Sequence, residues 1–180
     1  YVLDLCYAGE DTKSRLARVR AEMEKIKADV HVLGDLCDIA WLLNIRGGDI
    51  PCVPVVLSFL CVTKEDCIWY LREQIMTEEI RQYLKERGVL VRDYEAVYKD
   101  LSGLAAGRKV LLDKKNVNYR LLTAVSGQAD VIDRRSPAEL MKAVKNDTEI
   151  RNLRTAHLKE GIAFTRLMYW LKTGAGKEAL

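Results

Sequence analysis

The first quarter of the chain alternates between helix-like and strand-like patterns of apolar residues. Between residues 12 and 27, charged side chains surround apolar ones at helical spacing, and Asp11 is available as a cap; the apolar set is Leu16, Val19, Met23 and Ile26. This spacing predicts a surface helix over a core. Residues 28–33 (ADVHVL) predict a buried strand, and Asp35 begins a second helix that carries Ile39, Ala40, Leu42 and Leu43.

Two β-rich apolar runs come next, over 53–63 (VPVVLSFLCVT) and 67–71 (CIWYL). Because only the polar residues 64–66 separate them, we expect an antiparallel hairpin. Helical and strand patterns then alternate, with helices expected over 77–87, 94–104 and 116–125 and strands over 89–93, 109–113 and 129–133. Such alternation brings strands together through helical crossovers. The pattern predicts a mixed α/β domain of about six strands flanked by helices.

The last part of the chain predicts two helices. Ser136, Pro137 and Glu139 form a helix start that leads to a short helix ending near Val144. Asn146, with Glu149 in the capping-box position, begins a longer helix that stops near Gly174. Its apolar seam consists of Ile150, Leu153, His157, Ile162, Leu167, Met168 and Leu171. At 1.5 Å per residue this helix is a rod of about 39 Å, whose outer half has nothing in this chain to pack against.

Composition narrows the class of protein. Of 180 residues, 49% are apolar and 31% charged, which is typical of one folded domain with an attachment. Lys and Arg outnumber Asp and Glu by only 29 to 26, and the basic pairs at 114–115 and 134–135 lack interleaved aromatics, so nucleic-acid binding is not indicated. No apolar run is long enough to cross a membrane. The chain has no signal peptide and opens at Tyr1, and we expect both ends to continue into a longer protein.

The residues that could carry chemistry give weak signals. The five cysteines include no C-x-x-C pair, which argues against a disulfide framework or a zinc site and favours a reducing compartment. His31 and His157 lie in no metal-binding pattern, so a structural or interface role is expected for each. The segment 174–177 (GAGK) lacks the first glycine and the Ser or Thr of a phosphate-binding loop, and we interpret it as a helix end.

Three aspartates each follow a predicted strand: Asp93, Asp113 and Asp133. Carboxylates grouped at the carboxyl ends of strands could hold Mg²⁺, as in nucleases of ribonuclease H-like fold. The alternative is that each aspartate caps the next helix by accepting its free N–H groups. We favour caps, since three caps need no convergent geometry.

The loop after the second helix, residues 44–54, is the other candidate site. It carries Arg46, a planar donor suited to carboxylates, next to Gly47 and Gly48 and before Pro51 and Pro54. The glycines have a simpler explanation as well, because they permit positive φ in a turn. Local chemistry alone leaves both explanations open.

Three segments together resemble one known family. "DIAWLLNIRGGDIPCVPVVLSFLCVT" is similar to the middle domain of three-domain Xaa-Pro aminopeptidases, where W-L-x-N-x-R-G precedes D-x-P-x-x-P-V and a strand. "YAGEDTKSRLARVRAEM" resembles the Y-x-G-x-S-x-x-x-K-L stretch that opens that domain. "KAVKNDTEIRNLRTAHLKEGIAFTRLMYWL" resembles the K-A-x-K-N segment and first long helix of the peptidase domain. The segments occur in the family's order and span nearly the whole chain.

The resemblance implies a division of the chain and a fold. Residues 1–10 would be a connector from a preceding domain, 11–145 a creatinase/prolidase N-terminal-like accessory domain related to ribonuclease H, and 146–180 the first helix of a truncated pita-bread catalytic domain. Because this domain has an accessory role in the family, the resemblance removes most of the support for a nuclease site at the three aspartates.

The resemblance also implies a chemistry that lies outside the chain. Such enzymes release the N-terminal residue from peptides with proline second, using two divalent ions, usually manganese, on two Asp, one His and two Glu. No residue of that motif can be assigned here, so no catalytic, cofactor-binding or metal residue is predicted, and the fragment alone should be inactive. The parent would be a cytoplasmic homodimer acting on proline-containing peptides. The alternative is a protein-binding module of a peptidase-like protein without catalytic metals.

Within the fragment, the resemblance directs attention to the loop at 44–54, which lies toward the cleft in related enzymes. Asn44, Arg46 and Asp49 are therefore predicted to face the cleft or the neighbouring domain. The sequence departs from the family pattern at Cys52 and Val53, where an aromatic or polar residue followed by Asn is common, and this weakens the prediction of direct substrate contact.

Overall fold

The architecture is a six-stranded sheet with helices on both faces and one long helix leading away from it. The computed structural model describes residues 1–174, except for the side chain of Ile75. The strands are β1 (Val30–Leu33), β2 (Ser58–Thr63), β3 (Cys67–Leu71), β4 (Val89–Asp93), β5 (Lys109–Leu112) and β6 (Asp130–Asp133). The helices are α1 (Leu5–Ala8), α2 (Thr12–Lys25), α3 (Leu36–Leu43), α4 (Glu78–Glu86), α5 (Ala96–Ala105), α6 (Tyr119–Val125), α7 (Pro137–Ala143) and α8 (Asp147–Thr173).

The sheet has the order β4-β3-β2-β1-β5-β6, and it is mixed as predicted. The β1–β2 and β2–β3 pairs are antiparallel, whereas β3–β4, β1–β5 and β5–β6 are parallel. Thr63 closes the β2–β3 hairpin because its hydroxyl accepts the N–H of Asp66 at 2.8 Å. The predicted hairpin and crossovers are confirmed.

Alternation along the strands divides the core into two layers. In β2, Leu60 and Val62 face the layer that also contains buried residues of α2, α3 and α4. Phe59 and Cys61 face the opposite layer, which is filled from α5 and α6. Because both faces are buried, the central strands β1, β2 and β3 are mainly apolar, and the polar side chains of His31, Ser58 and Thr63 in them are hydrogen-bonded.

Two predicted boundaries are wrong. The run at 53–63 forms a strand only from Ser58, because Pro54 has no N–H to give to a ladder and the Asp49 carboxylate takes the N–H of Leu57 at 2.7 Å. The helix expected over 116–125 begins at Tyr119, where the Asn118 side chain accepts the N–H of Leu121. The alternating start of the chain gave no sign of α1, and a 3₁₀ turn at Glu73–Ile75 was not expected.

The long terminal helix is confirmed. The Asn146 and Glu149 side chains form the predicted capping box, and α8 runs 27 residues before Gly174. None of its residues is buried. The rest of the GAGK segment, from Ala175 onward, lies outside the described residues.

Candidate interdomain site

Asn44 ends α3 in the left-handed region, at φ 53° and ψ 31°. Asparagine tolerates this conformation better than most residues, which explains the helix end. Its side chain is fully buried: Nδ2 donates to the Glu10 carbonyl at 2.8 Å, and Oδ1 accepts from the Arg15 guanidinium. Asn44 therefore joins α3 to the start of α2 from inside the protein.

Arg46 lies half-buried just beyond α3. Its Nη1 donates to the carbonyls of Ala40 at 2.6 Å and Ile45 at 3.0 Å, and burial lowers the pKa of its guanidinium. Its backbone pairs with the chain start, since the Arg46 N–H donates to the Tyr1 carbonyl at 2.9 Å. Residues 1–3 are thus fastened along 44–46.

The glycines of this loop serve close packing. A Cβ on Gly47 would lie 2.5 Å from Val56 Cγ2 and 2.9 Å from the Val55 carbonyl oxygen, whereas one on Gly48 would meet open space. Neither glycine has positive φ, so the turn explanation is wrong for both. Within the loop that conformation belongs to Asn44 at φ 53° and Cys52 at φ 63°. Asp49 is exposed and holds the far side of the loop through the N–H of Leu57.

A cavity of about 440 Å³ lies between α3, the loop at 53–55 and the first turns of α8. Its floor is apolar, with Trp41, Val55 and Leu153 among the lining residues. Its rim is charged and mainly basic, with Arg46, Lys142, Lys145 and Glu149. Of the three predicted site residues, only Arg46 lines this cavity. Arg46 also lines a smaller cavity of about 160 Å³ together with Asp49, while Asn44 lines neither of the two.

Beside the larger cavity is a buried cation that the sequence patterns did not single out. Arg15 on α2 is 1% exposed, and we name the group of Arg15, Trp41, Asn44 and Glu149 the Arg15 cluster. Burial lowers the pKa of Arg15, whereas Glu149 and Glu10 oppose that shift. A signal was available: Arg15 lies four residues before Val19, on the buried stripe of α2, where a charged residue requires partners.

The three aspartates after strands accept backbone N–H groups, but none is the cap of the following helix. Asp93 accepts from Glu95 N at 3.0 Å, Asp113 from Lys115 N at 3.0 Å, and Asp133 from Lys114 N at 3.2 Å. The side chains that cap α6 and α7 belong to Asn118 and Ser136, and the first residue before α5, Glu95, makes no side-chain cap bond. The cap prediction is therefore wrong for all three. The physical reason is that each loop is long enough to bring a different residue to the helix start.

The histidines occupy different environments. His31 is buried, with Nδ1 3.1 Å from the Leu111 carbonyl and Nε2 3.0 Å from the Ser136 hydroxyl. Burial lowers the pKa of His31 to about 4, so its ring is neutral at pH 7. His157 is exposed on α8, where its Nδ1 lies 3.2 Å from Glu160. In the described part of the chain, no three His, Cys, Asp or Glu side chains are grouped so as to hold a metal ion. No helix within residues 1–174 is long and apolar enough to span a membrane.

Comparison with known proteins agrees with the fold. Residues 1–149 match the family model described as Creatinase/Prolidase N-terminal domain. The chain therefore belongs to the creatinase/prolidase N-terminal domain family, and the resemblance seen in the sequence is confirmed.

Within that family, the chain is similar to proteins named as aminopeptidases. A probable Xaa-Pro aminopeptidase P from Sordaria macrospora is 34% identical over 96% of this chain, and one from Podospora anserina is 37% identical over 96%. The chain spans 30% and 27% of those two relatives.

The fold also superposes on solved structures of proline-specific peptidases. The X-prolyl aminopeptidase from Caenorhabditis elegans, described as a cytosolic enzyme with a di-nuclear active site, superposes with a TM-score of 0.90 at 27% identity. That match covers 96% of this chain and 29% of the nematode protein. A Xaa-Pro dipeptidase from Bacillus anthracis superposes with a TM-score of 0.67 at 16% identity, which shows the fold alone.

Proposed function

We propose that this chain is the accessory part of a metal-dependent Xaa-Pro aminopeptidase, an enzyme that removes the N-terminal residue from peptides with proline at position two. One observation carries the proposal: the chain is similar over 96% of its length to proteins named Xaa-Pro aminopeptidase P, yet spans about 30% of their length. The division proposed from the sequence, with a connector at 1–10, the accessory domain at 11–145 and the start of the catalytic domain at 146–180, accounts for both facts.

In this proposal the reaction takes place outside the chain. Two divalent ions, expected to be Mn²⁺, would supply a metal-activated water in the catalytic domain. The di-nuclear active site described for the nematode relative supports this. The fragment by itself is then a non-catalytic scaffold.

The loop at 44–54 would face the rest of the enzyme. Arg46 is the best placed of the three predicted residues, because its guanidinium lies at the rim of the 440 Å³ cavity and the only acceptors of its side-chain hydrogen bonds in the described residues are two backbone carbonyls. A carboxylate on the catalytic domain or on a peptide would complete its pairing. Asp49 would contact the neighbouring domain or the peptide at the smaller cavity, which it lines. Asn44 would hold the loop in place through its buried hydrogen bonds. We also expect the parent to be cytoplasmic and homodimeric.

The test uses the full-length protein. We expect the purified enzyme to hydrolyse an Xaa-Pro peptide, to lose activity with a chelator and to regain it with Mn²⁺, while residues 1–180 alone hydrolyse nothing. A continuation beyond Leu180 without two Asp, one His and two Glu would refute the proposal.

A second candidate function is a protein-binding module that lacks catalytic metals. The exposed apolar residues of α8 favour a protein surface of some kind, among them Phe164 at 64% and Leu167 at 50% exposed. Mn²⁺-dependent hydrolysis by the full-length protein would eliminate this alternative.

A further inference from the structure

The start of α8 is attached to the domain by polar contacts and not by the burial of apolar side chains. No residue of α8 is buried. Instead, the Glu149 carboxylate takes three donors: Trp41 Nε1 at 3.3 Å, Arg15 Nη2 at 3.4 Å and the Asn146 N–H at 2.9 Å. The Glu149 side chain thus completes the capping box at the start of α8 and also attaches the helix to α2 and α3.

Contacts from α1 complete the attachment. The Asn146 side chain donates to the Ala8 carbonyl at 2.9 Å, and the Asn152 side chain donates to the Cys6 carbonyl at 3.0 Å. Gly9 allows this approach, since a Cβ there would lie 2.5 Å from Asn146 Oδ1. The base of α8 is therefore held from two sides, by the Arg15 cluster and by α1.

Arg15 is the centre of this arrangement. Its guanidinium also donates to the Trp41 carbonyl, to Asn44 Oδ1 and to the Ala8 carbonyl at 3.0 Å, and its Cζ lies 4.3 Å from the Trp41 ring centroid. Its carboxylate neighbours are Glu149 at 3.4 Å and Glu10 at 3.6 Å. A buried cation needs its counter-ions, and separating α8 from the domain would leave Arg15 with Glu10 as the remaining one of these two carboxylates.

We propose that the Arg15–Glu149 pair fixes the direction in which α8 leaves the accessory domain, and that Arg15 and Glu149 are positioning residues for the peptidase reaction. The second half of this statement rests on the proposed function, in which α8 is the first helix of the catalytic domain. The length of α8 makes the position of its far end sensitive to small changes at its base. Because α8 is about 40 Å long, a tilt of about 5° at its base moves its far end by about 3.5 Å. Displacements of about 1 Å in an active site can cost a hundredfold in rate.

The first experiment measures amide hydrogen exchange in residues 1–180. In Glu149→Gln, which keeps a capping-box side chain but removes the charge, we expect exchange in α1 and in the first two turns of α8 to accelerate about tenfold, the loss of one charge-assisted hydrogen bond. Exchange in β1 and β2 should stay unchanged. Arg15→Met should act on the same segments, and Lys13→Met, at an exposed position of α2, is the matched control. Unchanged exchange in α8 of Glu149→Gln, or equal acceleration in the central strands, overturns the proposal.

The second experiment measures kcat and KM of the full-length protein for an Xaa-Pro peptide. We expect Glu149→Gln to lower kcat/KM at least tenfold with bound metal unchanged, and Lys13→Met to leave it unchanged. Full activity in Glu149→Gln with accelerated exchange refutes the positioning role. If the unmodified protein shows no such hydrolysis, the proposed function fails, and the exchange experiment still decides whether the Arg15–Glu149 pair holds α8.

Discussion

At the residue scale, the informative side chains are polar groups inside the core. Arg15 and Asn44 bond to each other and to backbone carbonyls of neighbouring elements, and His31 bridges the Leu111 carbonyl and Ser136. Asn44 and His31 thereby satisfy the requirement that a buried polar group be hydrogen-bonded, whereas Arg15 satisfies it through its two Nη atoms and leaves its buried Nε without a hydrogen-bond acceptor. Because every one of these bonds joins segments that are distant in the chain, changing such a residue affects how elements fit together.

His31 gives a prediction for stability against pH. The unfolded chain binds a proton on this imidazole near pH 6.5, whereas the folded protein, in which burial lowers the pKa to about 4, does not. Acidification therefore favours unfolding, and the full contribution of neutral His31 is present only above pH 6.5. Between pH 7 and pH 4 we expect the wild type to lose about 3 kcal/mol more of its unfolding free energy than His31→Gln does.

Urea unfolding of both proteins across that pH range measures this difference. The carboxylates titrate equally in the two proteins, so subtraction isolates the imidazole. Parallel pH profiles, or a folded-state pKa near 6.5 for His31 by NMR, would show that the ring is not held neutral.

At the scale of single elements, helix ends decide the arrangement. The starts of α7 and α8 carry the expected caps at Ser136 and Asn146. The α8 cap also contacts Gly9, which has φ 69° and ends α1. A short helix of four residues thereby becomes part of the support of the longest one.

Gly9→Ala tests this support. The left-handed φ costs an alanine about 1 kcal/mol, and the Cβ also pushes the Asn146 side chain out of its cap, which adds about 1 kcal/mol. Gly107 is the matched control, because it has φ 68° with no atom near the position of a Cβ. We expect denaturant unfolding to show Gly9→Ala about 1 kcal/mol less stable than Gly107→Ala. Equal stabilities would contradict the role of Gly9 at the α8 base.

At the scale of the whole molecule, α8 extends from the sheet domain with its apolar residues uncovered. Phe164, Leu167 and Leu171 are 64%, 50% and 44% exposed. The sequence predicts that the apolar seam of the helix at 147–172, with Met168, Trp170 and Leu171, drives self-association of the isolated chain or disorder at the end of the helix, since exposed apolar stripes of this kind bind partners.

Sedimentation velocity on residues 1–180 measures the self-association. We expect dimers or larger species at micromolar concentration, and a shift to monomer in the double variant Phe164→Glu and Leu167→Glu. Leu167 belongs to the seam, and Phe164 lies two turns before Leu171 on the same face of the helix, so the variant places two charges on that face. Thr155→Glu is the control: it adds a charge nine residues before Phe164, two and a half turns away and hence on the opposite side of the helix. A strictly monomeric chain with a fully ordered, solvated α8 would contradict the prediction.

The fold could largely be predicted from the sequence, because periodicity is a local property of the chain. The hairpin at β2–β3, the crossover helices and the length of α8 all follow from spacing and caps. The errors occurred where a distant group competes for the backbone: Asp49 takes the N–H of Leu57 and delays β2, and Asn118 replaces Asp113 as the cap of α6. Spacing does not reveal such competition.

The candidate site was predicted less completely. The loop around Arg46 stood out through its arginine and glycines, yet its position at the rim of two cavities depends on α7, α8 and the chain start. Arg15 carried only the weak signal of a charge on an apolar stripe. Three of its partners lie 26, 29 and 134 residues away along the chain, at Trp41, Asn44 and Glu149.

The sequence by itself determined the class of fold, the family and the existence of a long uncovered helix. Each of these follows from the local spacing of apolar residues or from the order of the segments along the chain. Only the tertiary structure decided which charges meet: the burial of Arg15, the neutral state of His31 and the convergence of Arg15, Trp41 and Asn146 on Glu149. The reason is physical. A buried polar group is stable only with its partners, and those partners are brought together by packing and not by proximity in the chain.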